Sequence, residues 1–474
     1  MSQPKTFVGL DIGTTSVKVV VAEYANRRLN VIGMGIERSK GLSRGVITDI
    51  DQTVESIKSA VQQAEQKANV KIDNVVVGVP SNQISIEPCY GMVAVSSDNR
   101  EVTDKDVHNV LSAAKVRAIP PEREIISVIP EEFVVDGFDG IRDPRGMVGV
   151  RLELYASMIT GPTTVVHNIQ LCVKRAGLKV QDMVVQPLAN AYAAMSNDER
   201  EVGTILIDMG GGQTTASVMH DHQLKFSYVD QEGGEYVTKD ISTVLNTSVE
   251  NAERLKREYG YAQAESASPT EYFPVETIGK KEAGRSNEHY LSEIIEARLQ
   301  QTFETLKTPL DQVEAFDLPG GVIITGGGSA LPGVLGLAED IFGHEATLYM
   351  SDQVGLRNPA FTTAYGLVLY AYQLPDIYHV SQVTGNNEPA KPKSTTTNSS
   401  LFMNQATSEN DTPRPASTVS TPETNDRGFN DEAMESHDDY HYNEDNDYEM
   451  DDELDGESES IIDRIKDMFS DMFS

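Results

Sequence analysis

A chain of 474 residues exceeds what one core fills, because single cores stop growing at about 250 to 300 residues, so two to four domains are expected. The net charge of -34 is unevenly placed: residues 425–460 hold sixteen Asp and Glu against Arg427 alone, and the first 380 residues carry about half of the excess. That balance excludes sequence-independent binding to nucleic acid, which needs clustered Lys and Arg. Cys89 and Cys172 are too few for a disulfide framework and fit a reducing compartment as small buried hydrophobes. The opening "MSQPKTFVGLDIG" lacks the basic-then-apolar order of a signal peptide, and no apolar run reaches about 18 residues, so neither a leader nor a membrane span is expected.

Up to about Tyr378, β-rich and helical patterns alternate, the rhythm of an α/β protein. "TFVGLDIG", "VKVVVAEY", "NVVVGVP", "GTILIDMG" and "GGVIITGGG" read as short Val- and Ile-rich strands stopped by Gly or Pro. "DQTVESIKSAVQQAEQKA" from Asp51 reads as an amphipathic helix with Val54, Ile57, Ala60, Val61 and Ala64 on one side. Beyond Gln382 few apolar residues interrupt the Ser, Thr, Asn and Pro, so a disordered linker is expected, extended by self-repulsion where it turns acidic.

"GLDIGTTSVKVVVAEYANRRLNVIG" is echoed from Leu206 by "LIDMGGGQTTASVMHDHQLKFSYVD". Each is a strand ending in Asp-x-Gly, a turn of small residues, a second strand, a polar turn and a third strand, which implies two similar halves facing one another. Gly lets backbone approach a ligand, and successive N–H groups in such a turn point at one anion. The hydroxyls of Thr14, Thr15, Thr214 and Thr215 add donors. Asp11 and Asp208 would repel bare phosphate; they make sense with a Mg²⁺ between, held largely through water. One copy alone reads as an ordinary tight turn, whereas two copies point to a nucleotide clamp. A third cluster, "IITGGGSALPGV" from Ile323, reads as strand, glycine turn and helix start, with Gly326, Gly327 and Gly328 bare enough for a base and ribose to lie close.

In this order the three motifs resemble the ATPase superfamily of actin, the heat-shock chaperones and the sugar kinases, whose halves close over ATP and Mg²⁺. "QPLANAYAAM" from Gln186 and "NPAFTTAYGLVLYAY" from Asn358 are similar to its two connecting helices, whose small residues permit a close crossing. The segment from Glu101 to Gly161, with "DPRGMVGVRLE", looks like the subdomain 1C of the FtsA family of bacterial division proteins, and "RGVITDI" from Arg44 is similar to that family's lead into its first helix. The resemblance covers about Thr6 to Tyr378 and, as architecture, the tail. It implies subdomain 1A in residues 1–85, 166–203 and 358–380, 1C in 86–165, 2A in 204–238 and 318–357, 2B in 239–317, a disordered acidic linker in 381–460 and a membrane-targeting helix in 461–474.

By that resemblance Asp11, Gly13, Thr14 and Thr15 take the first phosphate role, with Lys18 reaching a phosphate from the next strand. Asp208, Gly210, Gly211, Gly212, Gln213 and Thr214 take the second, Asp11 and Asp208 facing the metal, and Gly326, Gly327 and Gly328 contact the nucleoside. The chain departs from the family twice. Relatives commonly read GGGTTD in the second turn, where this chain has Gln213 and Thr215. Many place Glu before the Pro of the connecting helix, where Gln186 stands. Beside Asp208 in the catalytic role, Gln186 orients a water without deprotonating it, which implies ATP binding with slow hydrolysis, and plain helix capping is its bland alternative.

The last fourteen residues place Ile461, Ile462, Ile465, Met468, Phe469, Met472 and Phe473 on one helical stripe about 21 Å long, too short to span a bilayer. Docking on its own globular part, a groove in a partner and the membrane interface are the three destinations; the resemblance favours the last. With two basic residues against three Asp, one copy is expected to bind lipid weakly, and many copies on one polymer strongly. The resemblance also implies an actin-like polymer at the cytoplasmic face of the division septum, other division proteins as partners, and the FtsZ C-terminal peptide on subdomain 2B. Arg298 is the expected contact there, with surface ion pairing as its plain alternative. A small-molecule kinase of the same superfamily is the alternative function.

Overall fold

The computed structural model describes residues 5–116, 119–280 and 283–374. The linker and the terminal segment, with Ile461, Ile462, Ile465, Met468, Phe469, Met472 and Phe473, lie outside the described residues.

Strand β1 (Lys5–Ile12) pairs antiparallel with β2 (Ser16–Ala25), which pairs with β3 (Arg28–Arg38). A short hairpin, β4 (Leu42–Ser43) and β5 (Val46–Ile47), leads to α1 (Ile50–Ala68). The Asp49 carboxylate accepts the Gln52 N–H to start that helix, and Asn69 ends it in the left-handed region at φ 53°. Its expected stripe, Val54, Ile57, Ala60, Val61 and Ala64, is buried. Strand β6 (Asn74–Val79) then lies parallel to β1.

The chain next leaves the sheet. Strand β7 (Ser85–Ala94), helix α2 (Asp104–Ala114) and strands β8 (Arg123–Val135), β9 (Phe138–Ile141) and β10 (Arg151–Pro162) form their own antiparallel sheet in the order β7-β10-β8-β9. A separate core there contains Val107, Leu111, Phe133 and Leu152. The chain returns through α3 (Thr163–Arg175) to β11 (Lys179–Val185), parallel to β6, and runs directly into α4 (Gln186–Ala194) and α5 (Asn197–Val202).

The second half repeats the first. Strands β12 (Thr204–Met209), β13 (Thr214–His220) and β14 (Gln223–Asp230) form an antiparallel run. Helices α6 (Gly234–Val244) and α7 (Val249–Tyr259), hairpin strands β15 (Tyr272–Val275) and β16 (Gly284–Asn287), and the long α8 (Glu288–Gln312) intervene. Strand β17 (Val322–Thr325) lies parallel to β12; α9 (Val334–Phe342), β18 (Ala346–Leu348) and α10 (Thr362–Gln373) follow. The two sheets, β3-β2-β1-β6-β11 and β14-β13-β12-β17-β18, share order and strand sense, which is the duplication heard in the sequence.

The central strands read as near-continuous apolar runs because both faces of each sheet are covered. In the first sheet Leu10, Val19 and Val21 share a core with α1 and α3, while Phe7, Val20 and Ala22 share another with α10. That second core also takes Leu206 and Met219 from the other half, with Leu188 and Ala189 of α4 and Leu367 and Val368 of α10, so these two helices tie the halves together. They cross at Gly366, where a Cβ would collide with the Ala189 carbonyl oxygen and stand 2.5 Å from its carbon. The small residues read as permitting a close crossing are used for that. Cys89 and Cys172 are buried and form no disulfide. No helix among the described residues is long and apolar enough to cross a membrane.

Candidate functional site

Because β1 and β12 hold corresponding places, their ends present Asp11 and Asp208 at equivalent positions. Register fixes the neighbours: Asp11 stands opposite Lys18, and Asp208 opposite Thr215. Lys18 Nζ donates to Asp11 Oδ2 at 3.2 Å, and Gln186 Nε2 donates to Asp11 Oδ1 at 2.9 Å. On Asp208, Asn190 Nδ2 donates to Oδ2 at 2.9 Å. Burial pushes the Asp208 carboxyl up to about 6, the charge of Asp11 adds to the rise, and the Asn190 amide and Lys18 oppose it.

The two turns after these carboxylates pack on each other. A Cβ at Gly211 would stand 2.7 Å from Thr15 Oγ1, and one at Gly212 would stand 2.6 Å from Thr14 Oγ1. Only glycine at these positions lets "DIGTT" and "DMGGG" approach so closely. The start of α6 supports the second turn, with the N–H groups of Gly234 and Glu235 donating to the carbonyls of Gly210 and Gly211 at 3.0 and 2.8 Å. Gly326, at φ 90°, brings the third cluster against Asp208, because a Cβ there would collide with Asp208 Oδ1 and with the Met209 backbone. Gly328 abuts Met209 and Gly327 lies near Ala360. Asp11, Gly13, Thr14, Thr15, Lys18, Gln186, Asp208, Gly210, Gly211, Gly212 and Gly326 therefore gather in one neighbourhood. A small cleft beside Asp208 is lined by Gln186, Pro187, Asn190, Leu206, Thr215 and Ser217.

Two expected donors point elsewhere. Thr214 Oγ1 donates to the Glu232 carbonyl at 2.9 Å, while Thr215 lines the cleft. Successive side chains of a strand face opposite ways, which is why Thr215 lines the cleft and Thr214 does not. Gln213 lies against the β4–β5 turn, its Oε1 buried without a partner among the described residues. That turn covers the "DIGTT" turn, Gly45 N donating to Thr14 Oγ1 at 3.0 Å, and reaches the other half through Arg44, which hydrogen-bonds the Tyr236 hydroxyl. Asn190 was not anticipated. Its signal was available: it stands four residues after Gln186, on the same face of one helix.

Arg298 corrects an expectation. It is 2% exposed, not a surface cation. Its guanidinium donates through Nε and Nη2 to Asp240 at 2.6 and 3.1 Å and through Nη1 to Glu232 at 2.6 Å. Helix α8 turns this residue toward α6, where the charges need partners, so ion pairing is its role but in the interior.

Nearby, burial and the charge of Glu232 push the Asp230 carboxyl up to about 6. The folded chain therefore holds a proton between the ordinary Asp value, about 4, and 6 that the unfolded chain has lost, and stability falls as pH rises through that window. Asp230→Asn is expected to raise stability by about 2 kcal/mol at pH 7.5, a gain that shrinks toward zero near pH 4, read as urea midpoints at the two pH values.

The donor chemistry fits a hydrated Mg²⁺. Two carboxylates with one lysine leave an excess of negative charge, and Asn190 Oδ1 is a buried acceptor without a partner among the described residues. No group of three or more His, Cys, Asp or Glu placed to hold a metal ion occurs among the described residues, so an ion here would keep most of its water, as Mg²⁺ does.

The family model "Cell division protein FtsA" matches residues 205–366, and "SHS2 domain inserted in FTSA" matches residues 81–160. The cell division protein FtsA of Enterococcus hirae is 54% identical over 396 residues, covering 84% of this chain and 90% of that protein. The chain belongs to the FtsA family. The FtsA proteins of Streptococcus pneumoniae and Bacillus subtilis are 48% and 43% identical, over 82% and 78% of this chain and 85% and 84% of theirs. Membership makes this a bacterial cell division protein and accounts for the second sheet, since the SHS2 match falls on β7, α2, β8, β9 and β10. A solved "PilM-PilN type IV pilus biogenesis complex" superposes with a TM-score of 0.53 at 17% identity, covering 77% of this chain and 97% of that one, a likeness of fold alone. The fold is the expected α/β one of two similar halves, actin-like, with the FtsA insertion.

Proposed function

We propose that this FtsA-family chain binds ATP with Mg²⁺ between its two halves, polymerises in an actin-like manner, and tethers the FtsZ ring to the cytoplasmic face of the membrane at the septum. One observation carries the nucleotide part: two duplicated strands deliver Asp11 and Asp208 to one place, with interlocking glycine turns behind them. Asp11 and Asp208 would hold the ion through water, and Gly13, Thr14, Thr15, Lys18, Gly210, Gly211, Gly212 and Thr215 would surround the phosphates. Bound Mg²⁺ supplies charge neutralisation to the triphosphate. Gln186, a neutral amide donating to Asp11, orients a water and takes no proton from it, so turnover is slow. Gly326, Gly327 and Gly328 would take the nucleoside. No observation favours the kinase alternative.

The FtsZ peptide is assigned to residues 239–317, on a surface other than Arg298. Lipid binding is assigned to the stripe from Ile461 to Phe473, and it acts in numbers, because each bound helix of a polymer raises the local concentration of the next. Sedimentation with lipid vesicles tests the whole reading. The full chain is expected to pellet with vesicles only when ATP and Mg²⁺ are present, and a chain ending before Ser460 to stay in the supernatant. Equal vesicle binding by an isolated tail peptide and by the assembled protein would refute the dependence on assembly.

A further inference from the structure

Helix α4 presents two amides, one turn apart, to two carboxylates from different halves of the molecule. Gln186 Nε2 reaches Asp11 Oδ1 and Asn190 Nδ2 reaches Asp208 Oδ2, both at 2.9 Å. Residues i and i+4 share a helix face, so the helix itself sets the spacing of the two amides. The orientation of Asn190 follows from chemistry: the reverse one would set an amide oxygen against a carboxylate. Its Oδ1 is thereby turned away from Asp208. That atom is buried, the residue is 1% exposed, and Oδ1 has no partner among the described residues, while Asn190 as a residue lines the cleft beside Asp208 and Thr215. A buried amide oxygen calls for a donor. Next to two carboxylates and one lysine, the donor that suits it is a water carried by a divalent cation, because such a water gives its hydrogens strongly.

We propose that Asn190 is a positioning residue for the hydrated divalent cation that accompanies the nucleotide: Nδ2 orients Asp208, and Oδ1 accepts from a water on the ion. The inference rests on the nucleotide reading above and adds a member to its site. Outer-shell partners of this kind change metal affinity by about 10- to 100-fold when removed.

The test is binding of a fluorescent ATP analogue to the full chain, once with Mg²⁺ and once with EDTA. Asn190→Leu keeps the size and removes both amide atoms. It is expected to lose about tenfold of the tightening that Mg²⁺ gives the parent, with binding in EDTA changed by about twofold or less. Asn190→Ala carries the same expectation and serves if the Leu variant does not fold, which its thermal midpoint reports. Equal weakening with and without Mg²⁺ would mean packing alone and would overturn the proposal, as would an unchanged Mg²⁺ effect. A parent chain that binds no analogue in either condition would strike the nucleotide reading itself, and the inference with it.

Discussion

Replacing Arg298 with Ala is expected to lower folding stability by about 3 to 5 kcal/mol. The guanidinium is the shared partner of Asp240 and Glu232, and it also donates to Gln301 Oε1 at 2.9 Å. Burial already pushes the Asp240 carboxyl above its ordinary value, even with Arg298 beside it. Without the guanidinium both acids would stay enclosed with less compensation, and an uncompensated buried charge costs more than the pair itself contributes. Tyr236 would lose a neighbour too, since the Arg298 guanidinium lies 5.7 Å from its ring centroid. Arg298→Lys keeps the charge but has no fork to hold Asp240 through two nitrogens, so a smaller loss is expected. Urea denaturation of the three chains decides the matter. An Ala variant as stable as the parent, impaired only toward a partner, would return Arg298 to the surface role.

How far the site was legible depended on which physical rule governed each part. The strands, the turns and the duplicated order could be read because Asp-x-Gly at a strand end, repeated with the same strand pattern, is a local signal. Asp11, Asp208 and the glycines needed nothing more. The split between Thr214 and Thr215 was hidden because it depends on which face of β13 looks into the cleft, a matter of register that a single strand does not declare. Arg298 was misplaced for a different reason. Charge in a helix is ordinarily solvated, and only the packing of α8 on α6, around Asp240 and Glu232, makes an interior arginine tolerable. Asn190 lay between these cases: its periodicity with Gln186 was visible, but its target belongs to a strand whose place beside α4 emerges only in three dimensions.

Gly366→Ala is expected to destabilise the protein by about 3 kcal/mol and to abolish nucleotide binding in the fraction that remains folded. In an open helix the same change would help by about 1 kcal/mol, since alanine loses less backbone entropy than glycine. Here the added methyl meets backbone, not a flexible side chain, at the Ala189 carbonyl of the opposing helix. Relief requires α4 and α10 to separate, because neither the carbonyl nor the Cβ can rotate away. Ala189 lies between Gln186 and Asn190 on α4, so that separation draws both amides off Asp11 and Asp208 together. The core that ties the two halves would open along with it. Stability and binding should therefore fail as a unit. Thermal unfolding, paired with titration of a fluorescent ATP analogue well below the midpoint, measures the two effects separately. A variant as stable as its parent would show that the helices are not in backbone contact. One that unfolds earlier yet binds the analogue normally when folded would show that the crossing does not set the place of the carboxylates.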